Sequence, residues 1–179
     1  MTDKWIVAEV DGRISAIAAD YRFLAWFGER ISLLKADEVE TLRTYKISTE
    51  RLLELGGSLK WDDLRLFGSA FQKQVWKTLM EMPRQLVSYS DLAALCDNPQ
   101  GVRAVAHAVA LNPLPYIIPC HLVVPKESID RVKEIRTAAA ESTLFKGSDL
   151  YLLDSIGVGE YAWGPETKRA FIKYDLSPQ

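Results

Sequence analysis

Cysteine is nearly absent from this sequence: Cys96 and Cys120 are the only two in 179 residues. Such a pair suggests no disulfide framework. Histidine is equally scarce, and Cys96, His107, Cys120 and His121 lack the paired close spacing of a zinc site, so no metal is expected. Long apolar runs are missing as well. No stretch approaches the roughly 20 residues needed to span a bilayer, and Met1 to Val10 lacks the charged-then-apolar pattern of a secretory leader. The expectation is a soluble, cytoplasmic protein with no membrane partner. Nor does one sign of charge dominate: the formal net charge is −2, which argues against a large surface wrapped by nucleic acid. The charge is unevenly distributed, however. Residues 64–125 carry five Lys/Arg against three Asp/Glu, whereas 1–63 carry nine against twelve and 126–179 eight against nine. Any nucleic-acid contact should therefore be small and centred in the middle of the chain.

What is present is enough apolar material, 48% of residues, for a core in one domain or two small ones. Trp5 to Val10 and Arg13 to Ala18 read as two strands around the turn Asp11-Gly12. Asp20 is positioned to cap a helix whose face carries Phe23, Phe27, Ile31 and Leu34. Residues 36–63 are charged and less regular, with a short helix expected from Thr49 to Leu55. No catalytic constellation is visible in this part.

The pattern sharpens at Gly68. Ser69 followed by Gln72 is a capping-box signature, and Phe71, Val75 and Leu79 recur every four residues, predicting a helix over Ser69 to Glu81 that stops at Pro83. Ser88-Tyr89-Ser90-Asp91 starts a second helix with Leu92 and Leu95 on its apolar face, and Asp97 to Gly101 is a dense turn signal. A third helix starts near Val102, places Val102, Val105 and Val109 on one face, and ends at Asn112-Pro113. Helix, short turn, helix is the helix-turn-helix shape, although two packed helices joined by a turn give the same pattern. Arg103 lies off the valine face, where an ordinary solvated arginine is equally expected. Next, Tyr116 to Ile118 reads as a short apolar strand, followed by Pro119-Cys120-His121 and a second apolar run, Leu122 to Val124. Two readings of Cys120 stay open. It is a small core filler, or it is a nucleophile whose thiol proton the adjacent His121 accepts directly or through water. For Cys96, at the end of an apolar helix face, the core reading is preferred.

Phe71-Gln72 with Val75-Trp76, Ser88-Tyr89 with Leu92-Ala93, Arg103-Ala104-Val105, Asn112-Pro113 and Ile118-Pro119-Cys120-His121 follow one another in order. Their spacing resembles the 6-O-alkylguanine-DNA alkyltransferases, also called methylated-DNA–protein-cysteine methyltransferases. Tyr161 with Gly164, then Lys168, resembles the closing segment of that family, so the likeness covers residues 68–124 and resumes near 160. The resemblance implies an α+β fold: a small N-terminal α/β unit over residues 1–67, then a helical winged-helix-like (helix-turn-helix) alkyltransferase domain over 68–179. It also implies irreversible, single-turnover transfer of an alkyl group from the 6-oxygen of guanine in DNA to Cys120. The target base lies within the stack, so the nucleotide must be extruded. By resemblance, the second helix of the motif enters the minor groove of double-stranded DNA, with Arg103, Ala104 and Ala106 at the interface and Arg103 filling the stack. Tyr89 matches a residue that helps rotate the nucleotide and donates to the departing guanine. His121 matches the base that draws the Cys120 proton, and Asn112 an asparagine that ties the recognition helix to the active-site strand. Tyr161, Trp163 and Lys168 fall in the segment that lines the alkyl pocket. No cofactor is implied, and a monomer is expected.

This chain departs from the family pattern at several positions. Leu122 stands where an arginine usually follows Cys-His. Counting from Lys168, the glutamate that orients the histidine falls on Asp175, one methylene shorter. Ala106 replaces a glycine on the recognition helix, and Ala162-Trp163 replaces a Ser-Gly pair. Residues near 126–157 form an insertion, with Ile129, Val132 and Ile135 pointing to an amphipathic helix. That insertion is either a surface elaboration or a lid or extra DNA contact. Two other functions share parts of this pattern. A non-catalytic relative that binds damaged DNA and recruits repair factors would typically have lost the cysteine, which is retained here. A plain DNA-binding regulator would give the Ile118-Pro119-Cys120-His121 segment no role.

Overall fold

A computed structural model describes residues 4–20, 22, 25, 27–29, 40–140, 154 and 156–177, with the side chains of 135–140 outside that set. The described residues fall into two compact units. One comprises Thr2–Glu81 with Leu111–Cys120, and the other Met82–Ala110 with His121–Gln179.

The N-terminal unit begins with the expected hairpin, β1 (Lys4–Val10) and β2 (Arg13–Ala18). Asp11 and Gly12 both take positive φ, 49° and 76°, as a two-residue turn matched to strand twist requires. A third strand, β3 (Leu42–Ser48), pairs antiparallel with the other side of β1, giving the order β2-β1-β3. Sequence reading passed over β3 because LRTYKIS shows no apolar alternation; its side chains are mostly exposed. What fixes it is the open edge of a buried central strand, together with Asp11, whose Oδ1 accepts from the Glu40 and Thr41 amides at 3.0 and 2.7 Å.

The outer edge of β2 is also covered. The Ile17 amide donates to Pro113 O at 2.8 Å and the Arg65 amide to Ile14 O at 3.0 Å, which leaves less exposed ladder for edge-to-edge pairing. This is why Leu111–Cys120 groups with the N-terminal strands. The expected boundary at residue 68 does not coincide with the contact grouping, which also keeps the next helix with the strands.

Helix α1 (Thr49–Ser58) is capped by Ser48 and runs three residues past the expected Leu55. Trp5 is fully buried and its Nε1 donates to Thr49 Oγ1 at 3.1 Å. Arg22, Ala25 and Phe27–Glu29 are helical, and Phe27 meets Phe67 edge-on; Phe23, Ile31 and Leu34 lie outside the described residues. Helix α2 (Ala70–Glu81) has the predicted capping box, with reciprocal bonds between Ser69 and Gln72, and buries Val75, Trp76 and Leu79.

The expected strand at Tyr116–Ile118 is instead a turn. Ile118 N bonds back to Leu114 O at 3.0 Å, and Tyr116 takes φ 70°. The apolar run resembled a strand because it is fully buried, but its backbone is satisfied locally.

In the second unit, β4 (Val87–Ser88) leads directly into α3 (Tyr89–Leu95), with Ser88 as N-cap. A turn through Asp97, at φ 56°, connects α3 to α4 (Val102–Ala110), and the two helices pack together. The buried face of α3 runs through Leu92, Ala93 and Cys96; Leu95 flanks it and is 56% exposed, contrary to expectation. After the 3-10 turn Cys120–Leu122, β5 (Val123–Val124) pairs parallel with β4. Helix α5 (Lys126–Ala140) forms the described start of the insertion. Ile129 and Val132 pack against Leu122, Val124, Ile156, Val158 and Ile172; the side chain of Ile135 and residues 141–153 lie outside the described set. Helix α6 (Pro165–Leu176) follows Gly164, whose φ of 85° favours glycine, and starts with Pro165 in its first turn. No helix among the described residues is long and apolar enough to cross a membrane.

Candidate active site

The Cys120-His121 pair sits on a single turn of 3-10 helix, Cys120–Leu122, and each residue has its own set of partners. Cys120 is 6% exposed. Asn112 Nδ2 donates to Cys120 Sγ at 2.9 Å, to Ile118 O at 2.9 Å and to Leu114 O at 3.3 Å, while Asn112 Oδ1 accepts from the Leu114 amide at 2.9 Å. The amide has only two hydrogens, so the longer bond is a shared one. Asn112 thus closes the turn before Cys120 and directs a donor at the sulfur, where it favours a thiolate.

His121 is fully buried. Its surroundings come from one face of α6, where Lys168, Phe171, Ile172 and Asp175 recur at helical spacing. Asp175 Oδ2 lies 2.8 Å from His121 Nε2, so the shorter carboxylate arm reaches the imidazole directly. Phe171 meets the ring edge-on at 5.6 Å. Lys168 is buried with its Nζ donating to Val123 O at 2.7 Å, beneath the Tyr161 ring; it clamps the strand that leaves the Cys-His turn. Arg84, which sequence reading missed, also bonds Asp175 Oδ2 at 2.8 Å. A lone arginine 91 positions before its partner leaves no periodic signal.

An arginine-paired carboxylate is an acceptor. His121 Nε2 therefore carries the hydrogen, and the lone pair falls on Nδ1. Burial pushes the His121 pKa below its ordinary 6.5, against the opposing bond and charge of Asp175. The imidazole is thus held neutral and able to accept a proton.

Stability should follow the same group. The unfolded chain protonates His121 near its ordinary value, while the native chain resists. As pH falls below about 6.5 the unfolded state binds the extra proton, and stability declines by up to ~1.4 kcal/mol per pH unit until the native imidazole also titrates. Urea melts at pH 7.5 and 5.5 are expected to show this loss, and His121→Gln should reduce it. An equal loss in the variant would assign the effect to other groups.

Among the remaining predicted residues, Tyr89 is half-buried in the first turn of α3, delivered by β4, which is itself laddered to β5. Arg103 and Ala104 are exposed on α4, Ala106 is half-buried and His107 exposed. Among the described residues Arg103 has no ion-pair partner. Tyr161 and Trp163 are half-buried just before α6. Cys96 is buried. No three His, Cys, Asp or Glu side chains cluster as metal ligands among the described residues. A cleft of about 230 Å³ in the N-terminal unit, lined by Arg13, Trp61, Leu64, Arg65, Leu66 and Lys73, involves none of these positions.

Residues 70–139 match the family profile described as the DNA-binding domain of 6-O-methylguanine DNA methyltransferase. The chain is similar to the constitutive methylated-DNA–protein-cysteine methyltransferase of Bacillus subtilis, at 32% identity over 129 residues, covering 69% of this chain and 75% of that protein. It is also similar to the methylated-DNA–protein-cysteine methyltransferase of Haemophilus influenzae, at 35% identity over 97 residues, covering 52% of this chain and 53% of that one. The fold is similar to the crystal structure of O6-methylguanine-DNA methyltransferase from Pyrococcus kodakaraensis, with a TM-score of 0.57 and 22% identity over 97% of this chain and 92% of the other. Matches to the first curated relatives cover 45%, 18% and 53% of their lengths, so the chain spans about half or less of those proteins.

Proposed function

Since this chain belongs to the family of methylated-DNA–protein-cysteine methyltransferases, we propose that it repairs double-stranded DNA by taking the alkyl group from 6-O-alkylguanine onto Cys120. The observation that carries this reading is the buried thiol that receives the Asn112 amide and is followed in the chain by a neutral imidazole braced by Asp175. His121 Nδ1 takes the thiol proton, directly or through water, and the thiolate attacks the alkyl carbon. The S–C bond forms as the bond from carbon to the guanine 6-oxygen breaks, and the proton ends on guanine. Atoms and charge balance without a metal, nucleotide or redox group. The product thioether is stable, so each chain acts once.

Tyr89 donates to the guanine as negative charge develops on it. On α4, the exposed Arg103 and Ala104 and the half-buried Ala106 form the surface for the minor groove, with Arg103 inserted where the base was stacked. The family-profile match beginning at residue 70 supports a DNA-binding module that starts near residue 68. Tyr161, Trp163 and Lys168 shape the alkyl side, Lys168 by fixing β5 through Val123. One chain carries every group the transfer needs, which supports a monomer, and DNA as substrate fits a cytoplasmic location.

The test is to incubate the protein with duplex DNA carrying one 6-O-methylguanine and weigh the intact chain and its peptides. The expected result is a gain of one methylene on the peptide containing Cys120, saturating at one per chain. Tight lesion-selective binding without that gain would reject transfer. Arg103→Ala is expected to slow transfer from duplex DNA by roughly 10- to 100-fold, because extruding a base costs a few kcal/mol, while reaction with free 6-O-alkylguanine base stays near normal. Equal loss on both substrates would point to a folding defect.

A further inference from the structure

We infer that Arg84 is a positioning residue for the His121 base, acting through Asp175. The inference rests on the reading that His121 activates Cys120, and it adds a group from a different part of the chain.

A single oxygen, Asp175 Oδ2, is 2.8 Å from both His121 Nε2 and Arg84 Nη1. The Asp175 side chain is 6% exposed and that of His121 is 0%, whereas that of Arg84 is 33%. Without the guanidinium, a carboxylate so buried beside a neutral imidazole would be less well compensated for lost hydration. Two escapes are open to such a pair, and both spoil the base. In one, Asp175 takes a proton and donates it to Nε2, which moves the imidazole hydrogen to Nδ1. In the other, the imidazole takes the proton and has no lone pair to offer. The guanidinium blocks both. It keeps Asp175 an acceptor at Oδ2, so Nε2 holds the hydrogen and Nδ1 the lone pair.

The backbone around Arg84 is anchored to bear this. Leu86, two residues on, packs against the cluster containing Leu122 and Ile172, and Val87–Ser88 is laddered to Val123–Val124. The charged groups acting on His121 are Asp175 and Lys168 from α6 and Arg84 from the segment before β4. Lys168 donates to Val123 O, and Arg84 bonds the carboxylate itself. Burial and both cations push the imidazole toward neutrality, while Asp175 opposes them. Removing Arg84 removes one cation and leaves the carboxylate with less compensation, and both changes favour the imidazolium.

The experiment follows the two imidazoles by long-range ¹H–¹⁵N correlation across a pH titration of the full chain, with exposed His107 as internal reference. The wild-type chain and Arg84→Lys are expected to keep His121 as the neutral Nε2–H tautomer to a pH below its ordinary 6.5. Arg84→Gln is expected to lose that tautomer or to begin protonating roughly one pH unit higher. In parallel, single-turnover transfer from duplex DNA with one 6-O-methylguanine should slow roughly tenfold or more in Arg84→Gln at neutral pH, with its acid limb displaced upward, and Arg84→Lys should recover most of the rate. An Arg84→Gln chain whose His121 tautomer and titration match the wild type overturns the inference, even if its rate falls. A changed tautomer in a protein whose wild type transfers no methyl group keeps the inference and rejects the proposed function instead. If Arg84→Gln does not fold, Arg84→Met, with a similar stem and no donor, supports the same readouts.

Discussion

Cys120→Ser should reduce alkyl transfer by at least ~10⁴-fold while the variant still binds lesion-containing duplex. The substitution exchanges one atom at a buried position and keeps a group that accepts the Asn112 amide. What it removes is acidity and nucleophilicity. A thiol lies within reach of an imidazole base at neutral pH, whereas a serine hydroxyl does not, and sulfur is the stronger nucleophile at saturated carbon. Cys96→Ala is the matched control. Cys96 is also buried, at the end of α3. That variant should still gain one methylene per chain. Intact-mass measurement on both variants separates the possibilities: label on Cys120→Ser would assign the acceptor elsewhere, and its loss in Cys96→Ala alone would identify Cys96.

Asn112→Ala should be the most damaging change outside the Cys-His pair, acting on stability and activity together. Truncation leaves the Leu114 amide without its acceptor and Ile118 O and Cys120 Sγ without their side-chain donor. Leu114, Ile118 and Cys120 are all buried, so water replaces these partners poorly. Ile118 O keeps the Cys120 amide as a donor, so one buried amide losing its acceptor and two weakened acceptors cost about 1–3 kcal/mol together, which for a chain of this size lowers Tm by roughly 3–10 °C. Asn112→Asp separates structure from chemistry. It keeps the acceptor for Leu114 but turns a carboxylate oxygen toward Ile118 O and the sulfur, disfavouring the thiolate. The expected order in transfer rate at neutral pH is wild type, then both variants well below it, with Asn112→Asp recovering partly as pH rises. Thermal melts and a pH–rate profile check this. Unchanged melting in Asn112→Ala would mean that the turn is held by other bonds.

The α+β class, the hairpin at Asp11-Gly12, the capped helices at Ser69 and Ser88 and the family itself were legible in the chain, because each rests on local chemistry. A cap, a left-handed turn or an apolar repeat is written within a few residues. Three features were not legible, for physical reasons of one kind. Strand β3 carries exposed side chains and exists because β1 needs a partner for its second edge. The run Tyr116–Ile118 is apolar like a strand, yet its backbone is satisfied by Leu114 and Asn112 a few residues away. Arg84 has no spacing relation to the residue it binds.

The sequence alone therefore determined which chemistry is available: a cysteine beside a histidine, an asparagine before them, an arginine off the apolar face of the second of two adjacent helices. The tertiary structure decided how that chemistry is set. Only folding brings Arg84 and the buried His121 imidazole onto one oxygen of Asp175, and burial then makes that imidazole neutral. Hydrogen-bond polarity and desolvation depend on which distant groups share a low-dielectric volume, and no window of neighbouring residues contains that information.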